Sequence, residues 1–421
     1  MKIVIQQACI IDPKSPYHRQ VKDILIEDGV IRRISSDLPV STEKVIAHQH
    51  LHVSPGWVDI FSDFGDPGYE YKETLETGAN AAAAGGYTDV FIIPNTRPVI
   101  DTKAQVEYIR QKSASLPVEV RPIGAVSQRL EGKELAEMYD MQRSGAIAFG
   151  DGTSPVQSAG LMLKALQYVK AFGGTIIQIP DDKSIGAHGL MNEGIVSTRL
   201  GLPGKPMISE EIMVARDIKL ARYADSKIHF TGISSLKSVE YIKRAKQKGL
   251  QVTCSVTPYH LFFFDDDLLD YDTNLKVNPP LRTKSEVLGL REALQKGEID
   301  CISTHHLPHE YDSKILEFEN AKFGMTGLQT TYSVLRTVLP DMEQARLIEL
   351  LGIQPRKIFG LPDATISEGS PAALSLFDPN GSWTVGEGDL VSKSKNTPFV
   401  GRPLKGRALG IINGEHILFN P

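Results

Sequence analysis

The chain has 421 residues, 41% hydrophobic and 23% charged, with a net charge of −5, 11 histidines and 3 cysteines. These are globular proportions, sized for two or three domains or for one large α/β barrel with an appendage. The mildly acidic balance, the lack of a Lys/Arg block and the lack of any apolar run near ~18 residues argue against nucleic-acid and membrane partners.

Met1-Lys2-Ile3-Val4-Ile5 reads as the start of a strand rather than a secretory leader. Cys9, Cys254 and Cys301 are odd in number and far apart, which excludes a disulfide framework and predicts a reducing, cytoplasmic setting. Lys2–Gln6, Val21–Ile26 and Val30–Ile34 read as strands, and Asp28-Gly29 between the last two is a hairpin signal. His48-Gln49-His50-Leu51-His52 places three imidazoles on one face of a predicted strand, with no further ligand group expected nearby.

From Pro55 the pattern becomes strands alternating with helices. Val58–Phe61 is a strand, Tyr71–Ala84 a helix stopped at Gly85-Gly86, and Asp89–Ile93 the next strand. Gln157–Phe172 carries Met162, Ala165, Leu166 and Val169 on one face, before a strand at Thr175–Ile179. Leu236, Val239, Ile242 and Ala245 repeat the helical spacing; basic residues and Gly249 end that helix, and Leu250–Val256 follows as a strand. About eight such units fit between Pro55 and Leu361, the size of a (β/α)8 barrel. After Leu361 short strands return: Ala373–Phe377, then a turn at Asp378–Gly381, and Arg407–Ile412 before Asn413-Gly414. The expected architecture is α/β: a TIM-like barrel over residues 55–361, with a small composite β-sandwich built from residues 1–54 and 362–421.

Several segments, taken in order, carry a resemblance. They include Pro55-Gly56-Trp57-Val58-Asp59-Ile60, Asp66-Pro67-Gly68, Pro94-Asn95-Thr96-Arg97-Pro98 and Met191-Asn192-Glu193-Gly194. Further along stand Val256-Thr257-Pro258-Tyr259-His260-Leu261, Val277-Asn278-Pro279-Pro280-Leu281-Arg282, Gly324-Met325-Thr326-Gly327-Leu328 and Asn396-Thr397-Pro398-Phe399. Together they resemble the dihydroorotase branch of the amidohydrolase superfamily across essentially the whole chain. That resemblance implies a barrel mouth with one or two zinc ions that interconvert dihydroorotate and carbamoyl aspartate in pyrimidine synthesis.

The ligand set that the resemblance implies is only partly present. The family pattern Asp-Ile-His-x-His-x-Arg on the first barrel strand stands here as Asp59-Ile60-Phe61-Ser62-Asp63-Phe64-Gly65. Phe61 cannot bind metal, Asp63 can, and Gly65 has lost the guanidinium that would grip a carboxylate. On the fourth strand Asp151 remains as a carboxylate; on the fifth Ile179 replaces a ligand, and on the sixth Gly232 does. On the eighth, His305 stands where the family has the aspartate that binds metal and shuttles the proton. Asn95 and His309 remain at substrate-contact positions, while His229 and His260 are expected to be structural.

Asp63, Asp151 and His305 could form at most a mononuclear zinc site; the competing expectation is a hydrogen-bonded plug with no cofactor. The implied function is a catalytically degenerate dihydroorotase-like protein that self-associates or scaffolds a partner such as aspartate transcarbamoylase. The alternatives are a hydrolase of a small cyclic amide or carbamoyl amino acid, and a small-molecule sensor.

Overall fold

The computed structural model describes residues 1–38 and 44–420. Both chain ends contribute to one eight-stranded sheet. Its order is His416–Phe419, Pro403–Asn413, Ala373–Thr384, His52–Pro55, Lys2–Ile10, Val21–Glu27 and Val30–Ser35, with Lys44–Ile46 pairing beside Lys2–Ile10. The first strand has three partners, Lys44–Ile46 beside Ile3–Ile5 and His52–Pro55 beside Cys9 and Ile10, and its register against Val21–Glu27 shifts between Ile5 and Ala8, around Gln7 at φ 49. The predicted hairpin forms: Glu27 pairs with Val30, and Asp28 and Gly29 take φ 49 and 72, the left-handed pair that a tight two-residue turn requires. The sheet has its own apolar core, including Ile3, Ile5, Ile24, Ile26, Leu374, Leu376 and Leu409.

The second sheet is the barrel. Its eight parallel strands run in chain order: Trp57–Ser62, Tyr87–Ile92, Glu119–Gly124, Ala148–Phe149, Thr175–Gln178, Lys227–Phe230, Val252–Val256 and Cys301–Ile302. The seam between first and last is tied by a bridge from Ser62 to His306, by Asp63 N–H donating to the His306 carbonyl at 2.8 Å, and by Thr304 N–H donating to Asp59 Oδ1 at 2.7 Å. Val58, Ile60, Phe91, Ile123, Ile177 and Phe359 belong to one buried cluster, a packed filling like that of other barrels of this class. A larger cluster unites barrel strands with helices such as Ala159–Lys170 and Leu236–Gln247. No helix among the described residues is long and apolar enough to cross a membrane.

Two local expectations change. The helix predicted from Tyr71 starts at Leu75, because Thr74 caps it by accepting from Thr77 N–H. Residues Tyr69 to Lys72 instead form a turn, with Tyr69 N–H bonded to the Gly65 carbonyl and Lys72 N–H to that of Tyr69. His48 and His50 lie in the loop and turn before the strand His52–Pro55 rather than on a strand face. His52 Nδ1 is 2.9 Å from the His50 carbonyl and His48 lies 3.8 Å from Asp378, so the three imidazoles are spent separately.

The two sheets meet around Trp57. Its indole stacks on Tyr332 at 5.1 Å and packs on Phe377 at 5.6 Å, and its backbone N–H donates to Ser375 Oγ at 2.9 Å. Arg356 reinforces the same end of the barrel by pairing with buried Asp89 at 2.6 Å.

Candidate functional site at the barrel mouth

The first-strand aromatic and the eighth-strand histidine have adapted to each other. Phe61 is buried and its ring stacks on the His305 imidazole, centroid to centroid at 4.4 Å. Gly232 makes room for that imidazole: a Cβ there would come to 2.5 Å from His305 Cε1. His305 Nε2 lies 2.8 Å from Thr231 Oγ1, which accepts from Ser255 Oγ; Ser255 Oγ in turn lies 3.1 Å from His229 Nε2, whose Nδ1 meets Thr253 Oγ1. Burial, with His260 and His229 nearby, pushes His305 down to about 3 and keeps it neutral. Its Nδ1 is buried and has no partner among the described residues.

Asp151 turns to the end of the third strand. Its Oδ1 accepts from the backbone N–H groups of Val126 and Ser127 at 2.8 and 2.9 Å, and its Oδ2 accepts from Ser127 Oγ at 2.5 Å. Burial still raises this carboxyl to about 6. Asp63 is buried, its Oδ1 accepts from Gly65 N–H at 2.8 Å, and burial likewise raises it. Gly65 sits at φ 62 with the Tyr69 carbonyl 2.8 Å from where a Cβ would be, so a side chain there would meet the backbone of the turn.

A cavity of about 360 Å³ opens at the mouth, lined by Asp63, Lys72, Asn95, Ile179, Asn278 and His309 among others. The structure thus gathers Asp63, Asn95, His309 and the apolar Ile179, while Asp151 and His305 do not line the cavity. Asn95 Oδ1 accepts from Thr153 N–H at 3.1 Å. His309 Nε2 meets the Phe323 carbonyl at 2.9 Å, which makes it the protonated nitrogen and leaves Nδ1 as a buried acceptor without a partner among the described residues. Burial and the Lys72 ammonium hold this imidazole down at about 4.

Zinc chemistry needs several free donors on one point. Both Asp151 oxygens are committed to Val126 and Ser127, and the His305 ring is stacked against Phe61. Among the described residues no group of three or more His, Cys, Asp or Glu side chains is placed to hold a metal ion. The side chains present do not fit a binuclear zinc centre.

Sequence reasoning missed Lys72, hidden inside an expected helix, and the network behind Asn278. There buried Lys205 donates to both Asp181 oxygens at 3.1 and 2.9 Å and to Asn278 Oδ1 at 2.8 Å, and Asn278 Nδ2 donates to Asp181. The motif Asp181-Asp182 gives no hint of a lysine arriving from a strand more than twenty residues later. His229 and His260 are both fully buried, and His260 bonds Thr257 Oγ1 at 2.8 Å and the Pro279 carbonyl at 3.0 Å.

Among solved structures, the fold is similar to L-hydantoinase (dihydropyrimidinase) from Arthrobacter aurescens, with TM-score 0.87, 23% identity, and 99% of this chain and 96% of that one covered. It is also similar to D-hydantoinase (dihydropyrimidinase) from Thermus sp., with TM-score 0.80, 20% identity and coverage of 99% and 96%. A family description, Dihydro-orotase-like, matches residues 51–238. Proteins named dihydroorotase from Geobacter metallireducens and Pelotomaculum thermopropionicum are each 40% identical, over 100% of this chain and 100% of the relative in the first case and 99% and 98% in the second. Identity at that level over the full length, on a barrel of this architecture, means that the chain belongs to the dihydroorotase family.

Proposed function

We propose that this member of the dihydroorotase family serves pyrimidine biosynthesis as a noncatalytic subunit that binds a small ligand at the barrel mouth and docks on a partner enzyme, aspartate transcarbamoylase being the first to test. The observation behind this reading is the mutual packing of Phe61, Gly232 and His305, which fills with rings the space where ligand groups would converge. The purified protein is expected to show no dihydroorotase turnover with or without added zinc, and to co-purify with the transcarbamoylase. Chelator-sensitive turnover that Asp151→Ala abolishes would overturn it.

A second reading, a metal-dependent cyclic-amide hydrolase, is favoured by the full-length similarity to proteins named dihydroorotase. It would run on one zinc ion at Asp63, Asp151 and His305, and would require Asp151 to give up its three bonds to Val126 and Ser127. Metal analysis of the protein together with the turnover assay separates the two readings.

A further inference from the structure

The barrel helix Ile208–Ala224 is apolar on two opposite sides. Met213, Val214, Ala221 and Ala224 are buried, and the helices Ala159–Lys170 and Leu236–Gln247 flank it. The outward side runs through Ile208, Ile212, Ala215, Lys219 and Arg222, in alternating steps of four and three, with Glu211, Ile218 and Tyr223 beside that line. A helix on the surface of a lone globule normally turns charged and polar side chains outward. Here Ile208, Ile212 and Tyr223 are 50, 43 and 76% exposed. Ile185 widens the apolar face at one end. Its short helix Lys183–Gly186 packs on the same element, tied by Asp182 N–H donating to the Ser209 carbonyl at 3.1 Å.

The charges on this outward side are graded along its length. Glu211 stands in the first turn and Arg222 in the last, with Lys219 just before it. Ser235 Oγ donates to Glu211 Oε1 at 3.0 Å, while Lys219 and Arg222 make no hydrogen bond or ion pair among the described residues. Such a face is complementary to its own reverse. Two copies laid antiparallel, with the two-fold axis at Ala215, bring Glu211 to Lys219 of the second copy and Ile212 to its Ile218. Ile208 then meets Arg222 and Tyr223, and each helix N-terminus lies beside the other's C-terminus. Alternating steps of four and three suit two helices packed along their length at about 20°, and a small side chain at the crossing allows a close approach of about 8–10 Å.

We infer that the chain forms a two-fold symmetric dimer through the outward side of Ile208–Ala224, the occupant of that face being a second copy of the chain. The contact lies on the outer wall of the barrel and is independent of what the mouth binds. A stable dimer covers about 800 Å² on each partner, so the flanking helices meet their counterparts at the edges of the contact.

Analytical ultracentrifugation of the full chain across micromolar concentrations tests the inference, and a dimer is expected. Ala215→Arg puts a long cation on the two-fold axis and should leave monomers whose far-ultraviolet circular dichroism matches wild type. Glu211→Lys and Lys219→Glu each set like charges across the contact twice, and each should weaken dimerisation by about ten- to hundredfold. The double variant exchanges the two charges and should largely restore the dimer, although it still lacks the Ser235 bond, so the recovery reports the pairing between copies. A monomer at every concentration overturns the inference, as does a dimer indifferent to Ala215→Arg or a double variant no tighter than the single ones. A monomer that uses this face to bind the transcarbamoylase overturns it as well, while leaving the noncatalytic reading intact. Dihydroorotase turnover would overturn that reading without touching the dimer.

Discussion

Gly232 shows how a single position can commit a site. At φ 71 it adopts a left-handed backbone that other residues resist, and the His305 ring occupies the space a side chain would need. His305 itself sits at φ 44, unusual for a side chain of that size, and its stacking on Phe61 and bond to Thr231 hold it there. Gly232→Ala should therefore cost about 1–3 kcal/mol, from backbone strain and overpacking, read as a lower urea midpoint with an unchanged slope. An unaltered midpoint would mean that His305 moves freely and that the mouth is open to rearrangement. The sequence pointed to Phe61, Ile179 and Gly232 as lost ligands, because each stands in a recognisable motif. It was silent on what replaced them, since the contact between Phe61 and His305 joins residues more than two hundred positions apart.

At the scale of elements, local chemistry placed most strands and helices well. The helix read from Leu236, Val239, Ile242 and Ala245 spans Leu236–Gln247, with Ser235 Oγ accepting from Lys237 N–H at its start. The helix within Gln157–Phe172 spans Ala159–Lys170 behind a Ser158 cap. Ala373–Thr384 runs on past its predicted end because Asp378 Oδ1 accepts from the N–H groups of Asn380 and Gly381, absorbing the turn signal as an irregularity within the strand. The segment from Ser392 to Asn396 has no regular structure and no periodicity, so its role was invisible beforehand. The Asn396 side chain accepts from the His309 N–H and donates to the Leu307 and Gly324 carbonyls, all buried, and Lys314 Nζ shares the Gly324 carbonyl. Asn396→Ala should cost about 2–4 kcal/mol by orphaning the His309 N–H and the Leu307 carbonyl, and should speed hydrogen exchange at residues 307–324. Exchange there at the wild-type rate would refute a clamping role.

For the whole molecule, the barrel carries imidazoles that must stay neutral. Burial drives His229 and His260 from the usual 6.5 down to about 3. A lowered folded value means that the unfolded chain binds the proton first, so the stability from these groups is full above 6.5 and lost as pH falls toward 3. Unfolding at pH 5 should then take up about one proton per imidazole, and His260→Gln should flatten the fall of stability below pH 6.5 by about one proton relative to wild type. Parallel profiles for variant and wild type, measured by urea titration across pH, would count against this.

The sequence by itself determined the alternation of strand and helix, the return of short strands at both ends, and the family motifs with their gaps at Phe61, Ile179 and Gly232. Each is a local matter of period, capping and turn chemistry over a few residues. Only the tertiary structure decided that Asp151 is consumed by Val126 and Ser127, that His305 stacks on Phe61, and that Lys72 lines the mouth cavity. Those outcomes depend on which side chains meet across the barrel and the C-terminal segment, and no spacing along the chain encodes such a meeting.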